Sequence, residues 1–159
     1  MKLNHLIFLL FLSPLFLTMN ACSKDKESDS SSGESKISAT GESESHNSGQ
    51  NCMNCHKPDG NGEGIFSVAG TVYNNQLAAI YPDAIVKLYT QANGGGTLRG
   101  TVYADSKGNF YTTAGIDFSG GLYPSITGKS GNIANMASFI TQGACNNCHG
   151  SSTSKLFVN

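Results

Sequence analysis

Two pentapeptides of one pattern, Cys-x-x-Cys-His, stand at residues 52–56 and 145–149 of a chain of 159 residues. Whatever folds between them must carry one copy at its start and the other at its end. The length allows one modest domain with appendages, so the intervening stretch is the candidate core. Formal net charge is −1, and Arg99 is the single arginine. A nucleic-acid binder usually presents a basic stripe, and this chain has none.

The segment 1–21 holds much of the apolar content. One lysine precedes an apolar run from Leu6 to Leu17, interrupted at Pro14. That run is too short to span a bilayer and matches the core of an export signal. "LTMNAC" then resembles a bacterial lipoprotein box, with Met19 where leucine is usual. The resemblance implies cleavage before Cys22, lipidation of Cys22 and attachment to the bacterial cell envelope. It also tidies the cysteine count: of five cysteines, lipidated Cys22 leaves two pairs and no spare thiol.

Residues 22–50 read as a lipidated, disordered tether. From Ser23 to Gln50 serine is the commonest residue and no aromatic appears, too little apolar surface to offset the entropy of ordering. A flexible coil of that length spans on the order of 30 Å. Its start, "CSKDKES", resembles the lysine- and acid-rich signal that carries some bacterial lipoproteins to the cell surface. Solvation of a tether explains the same charges.

Residues 65–139 change texture. "IFSVAGTVY", "AIVKLYT", "TLRGTVYA" and "NFYTTAG" are rich in β-branched and aromatic residues and are separated by Asn- and Gly-containing turn signals. The fold class expected is mainly β, an antiparallel sandwich. Along "TLRGTVYA", Leu98, Gly100, Val102 and Ala104 are expected to share one face. The repeated "GTVY" at 70–73 and 100–103 fits two similar strands of one sheet. The stretch resembles the carboxypeptidase regulatory-like module, a transthyretin-type, Ig-like sandwich. Gly70 and Val72, then Ala84, Val86 and Leu88, then Asp105, Gly108 and Phe110 carry the likeness, which runs from Val68 to Lys129. It implies a fold, and usually a non-catalytic spacer.

Two thiols three residues apart match the two vinyl groups of a porphyrin, and the histidine that follows is placed to reach the iron. Residues 51–64 and 140–159 are therefore read as short haem-binding segments. Cys52 and Cys55 hold one haem c with His56 as iron ligand, and Cys145 and Cys148 hold the other with His149. The whole resembles a dihaem c-type cytochrome lipoprotein. "CHKPDGNGEG" also resembles the glycine-rich turn after the haem motif of class I cytochromes c, although strands follow where that family has helices. Two other readings of the cysteines stay open: a zinc site of four thiolates, or two small disulfides. Either would make the chain a non-redox surface sandwich.

For the far face of each iron, His46 is the spare imidazole once His5 leaves with the signal. Met136 is the spare thioether, because Met53 lies inside its own attachment loop. A donor from a neighbouring molecule, or an open site able to bind peroxide or a gas, are the other possibilities. The expected role is electron transfer, not enzymatic catalysis, with redox proteins or other copies of the chain as partners. An odd number of strands would place the motifs at opposite ends of the sandwich. An even number, or tails folded back, would bring them together.

Overall fold

The computed structural model describes residues 35–159. The expectations for the signal, for lipidated Cys22 and for the first part of the tether lie outside the described residues. Seven strands follow in order: β1 Val68–Thr71, β2 Ile85–Gln91, β3 Gly95–Tyr103, β4 Asn109–Thr112, β5 Tyr123–Thr127, β6 Ile133–Asn135 and β7 Gly143–Ala144. They form two sheets, ordered β4-β1-β7 and β3-β2-β5-β6. The architecture is the expected mainly β sandwich. All these pairings are antiparallel except the short contact of β7 with β1.

The core lies between the sheets. Val86, Leu88, Val102 and Ile126 from one side meet Val68, Val72 and Phe110 from the other, and Leu122 and Val158 close the edges. Burying each such side chain stabilises the fold by about 1.5–3 kcal/mol before entropy is subtracted. The residues that carried the module resemblance have concrete tasks. Asp105 Oδ1 accepts from the backbone amides of Lys107 at 2.9 Å and Asn109 at 3.0 Å, closing the turn into β4. Phe110 is fully buried.

Several expectations need correction. The two "GTVY" stretches lie in opposite sheets, because β1 pairs with β4 while β3 pairs with β2. Val102 and Ala104 point inward as expected, but Leu98 is 46% exposed. A bulge is the reason: Leu88 pairs with Gly100 while Tyr89 pairs with Leu98. The extra residue turns Leu98 onto the outward face of Tyr89.

Residues 36–50 are not a free tether. Lys36 and Ser38 pair with the far edge of β4, through Thr113 N to Lys36 O at 2.8 Å and Ser38 N to Tyr111 O at 2.9 Å. Ser38 and Ser45 are buried. Serine-rich composition signalled too little apolar surface for a core. It did not exclude an edge segment stabilised by hydrogen bonds to a sheet that is already folded.

The sandwich also extends past residue 139, since β7 lies within the segment read as purely haem-binding. Beyond it, Tyr73 N donates to Leu156 O at 2.8 Å and Val158 N to Tyr73 O at 3.1 Å, which ties the C-terminal tail beside β1. Among the described residues the strand number is odd, yet the chain after β6 folds back and runs parallel to β1. The folded-back arrangement therefore holds, and both ends of the domain meet at β1.

Candidate functional site

Each Cys-x-x-Cys-His motif opens as one 3₁₀ turn, Cys52–Asn54 in the first and Cys145–Asn147 in the second. Their backbones repeat closely. Cys52 O accepts from Cys55 N at 3.1 Å and His56 N at 2.9 Å; Cys145 O accepts from Cys148 N at 3.2 Å and His149 N at 3.0 Å. The first thiol of each motif donates to the carbonyl two residues back, Gln50 at 3.8 Å and Gly143 at 3.5 Å.

Both histidines are oriented in the same manner. Nδ1 of His56 lies 2.9 Å from the Glu63 carbonyl, and Nδ1 of His149 lies 2.9 Å from the Ser154 carbonyl. A carbonyl only accepts, so each bond places the proton on Nδ1 and leaves the Nε2 lone pair available. Metal-ligating histidines are commonly held in this way. The glycine-rich turn makes the first arrangement possible. A Cβ on Gly62 would fall 2.7 Å from His56 Nδ1, and Gly62 N donates to Cys55 O at 2.9 Å.

The fold brings the motifs side by side. Asn146 is buried and bridges them: its Nδ2 donates to Gln50 O at 3.0 Å and to Thr71 Oγ1 at 3.2 Å, and its Oδ1 accepts from Thr71 N at 3.1 Å. Asn51 Nδ2 approaches Asn147 Oδ1 at 3.5 Å. Gly70 admits the second motif to the sheet, since a Cβ there would meet the Phe110 ring at 2.6 Å and Cys145 Cβ at 2.9 Å.

The surroundings differ. The first motif opens into a cleft of ≈ 520 Å³ lined by Cys52, Cys55, His56, His46, Glu42, Glu44, Glu63, Phe66 and Tyr111. The second opens into a cleft of ≈ 530 Å³ lined by Cys145, Cys148, His149, Met136, Phe139, Ile140, Leu156 and Phe157. Both volumes fall within the about 300–1,000 Å³ usual for cofactor sites. His56 stacks on Phe66 with ring centres 4.0 Å apart, and Phe66 stacks on Tyr111 at 4.8 Å. Each spare ligand named from sequence thus lies in the cleft of its neighbouring motif. Met136 is half-buried at the cleft wall, not in the core.

The thiols are unequal. Burial pushes the Cys52 thiol up, against its own backbone hydrogen bond. The Cys145 thiol is pushed up to about 12, by desolvation first and then by the neighbouring Cys52. Cys52, Cys145 and Cys148 are free thiols, so neither motif closes on itself as a small disulfide. Among the described residues no three His, Cys, Asp or Glu side chains converge as a metal-binding group, so the two pairs do not assemble a four-thiolate cage. A haem iron asks less of the protein, one or two axial donors, because the porphyrin supplies the rest.

Sequence reasoning missed Asn109, Thr71 and Asn146, which hold the motifs and the N-terminal segment on β1. Nothing in the sequence distinguishes these three from ordinary polar strand or loop residues. Comparison of the chain with family models, with curated proteins and with solved structures returns no match.

Proposed function

We propose that the chain is a dihaem c-type cytochrome, lipid-anchored through Cys22 at the bacterial cell envelope, that relays single electrons among redox partner proteins or other copies of itself. The observation that carries this reading is the duplicated site. Two Cys-x-x-Cys-His turns of matching geometry each face a cofactor-sized cleft, and each histidine has its Nδ1 satisfied and its Nε2 available.

Haem bound at each site would supply a one-electron iron couple. The protein's part is positional. Cys52 with Cys55, and Cys145 with Cys148, would fix each macrocycle by thioether bonds, each thiol S–H adding across one vinyl group. His56 and His149 would present Nε2, held in orientation by the Glu63 and Ser154 carbonyls. Phe66 would keep the His56 ring flat against the sheet. Phe139, Leu156 and Phe157 would keep water from the second site. Because Asn146 ties both motifs to Thr71, electron exchange between the sites is expected within one molecule.

Intact mass of protein matured in a host with haem-attachment machinery tests the reading. Two covalent haems on one chain, surviving acid denaturation, are expected. A colourless chain of unmodified mass, or one carrying zinc, would return the function to the sandwich as a non-redox surface module.

A further inference from the structure

The N-terminal segment bends over the first motif, and one buried side chain holds it there. Asn109, 2% exposed, donates from Nδ2 to Ser45 Oγ at 2.9 Å, Ser48 Oγ at 3.1 Å and His46 O at 3.3 Å. Its Oδ1 accepts from Thr71 Oγ1 at 2.6 Å, which anchors the same side chain to β1. Lys107 Nζ donates to Ser45 O at 2.6 Å, and Gly49 N donates to Thr71 Oγ1 at 2.8 Å. The segment is therefore fixed on both sides of His46, while the His46 side chain remains exposed on the cleft of the first motif.

The His46 and His56 ring centres are 5.9 Å apart, with planes tilted by 35°. Two imidazoles bound to opposite sides of one ion, with metal–nitrogen bonds of about 2.0–2.1 Å, have ring centres roughly 6 Å apart. Covering the edge of β4 accounts for the bonds to Asn109, but it does not account for a second imidazole at this distance from the first. We infer that His46 is the second axial ligand of the N-terminal haem and that Asn109 is the residue that positions it.

The inference rests on haem attachment at Cys52 and Cys55. It makes the two centres unlike, because the cleft of the C-terminal motif contains Met136 and no second histidine. The centre with two histidines is then the one of lower potential.

The test replaces His46 with alanine in the full chain matured with its haems, with covalent haem counted by mass and spin state read by absorption and EPR. His46 is exposed, so the substitution spares the core. The expected result is two haems per chain, loss of the low-spin signal from one of the two, and its recovery on adding free imidazole. Asn109→Ala should produce the same loss in part, with His46 still present. Two haems with an unchanged low-spin spectrum in His46→Ala would overturn the inference and leave the cytochrome reading standing. Absence of covalent haem in the unsubstituted chain would overturn both.

Discussion

The two Cys-His motifs share a backbone and differ in nearly everything around it. The first is capped by its own Asn51, whose side chain accepts from Met53 N at 3.1 Å, and it faces a cleft walled by acids, an aromatic stack and a second imidazole. The second has no side-chain cap. It is held through Asn146 and faces aliphatic and aromatic side chains with one thioether. A pentapeptide is thus enough to set a local turn. The dielectric surroundings, the nearby imidazole or thioether and the other neighbours of that turn come from whichever part of the sheet it lands on.

The difference between the motifs is most visible at the level of attachment. If the motifs bind haem as proposed, Cys148→Ser should remove the second attachment site and leave one covalent haem by intact mass. Retention of two would contradict the pairing of Cys145 with Cys148. Next in size is the shared core: Phe110→Ala should cost about 3–5 kcal/mol and lower the melting temperature. Because β1 supports both motifs, both haem spectra should broaden together, and a change confined to one would show that the sites do not share a foundation.

Gly62→Ala isolates the first motif from the second. The added methyl would press on His56 Nδ1, so the N-terminal centre alone should change its spectrum and potential while the His149 centre stays as it was. Identical shifts at both would be the failing outcome. The smallest effect concerns the haem-free fold. Cys145 has its folded pKa raised from 9.0 to about 12, so the fold favours the neutral thiol. Its stabilising contribution is intact below about pH 9 and is lost as pH rises from about 9 towards 12. Near neutral pH, Cys148 should be alkylated well before Cys145, and equal rates would show that Cys145 is not sequestered.

Much of the scaffold was legible because strands announce themselves through β-branched residues and Asn-Gly turns. The turn at Asp105 and the inward face of Val102 and Ala104 followed that pattern. Leu98 did not, because a single bulge reverses a face without altering the composition around it. The order of the segment at 36–50 is absent from the local sequence for a related reason. Its order comes from Ser38 and Ser45 bonding to β4 and Asn109, partners that lie far along the chain and leave no local signature.

What the chain determined locally is the pair of turns. The spacing of Cys-x-x-Cys-His and the run of glycines after the first copy specify short-range hydrogen bonds that need no distant partner. Only the tertiary structure decided that the two copies lie together. That required the chain after β6 to fold back and pair in parallel with β1, with Gly70 leaving room for Cys145 and Asn146 satisfied by Thr71. Sequence pattern encodes which face of a strand is buried. It carries little about which strand becomes the neighbour, because that choice is made by packing summed over the whole sandwich.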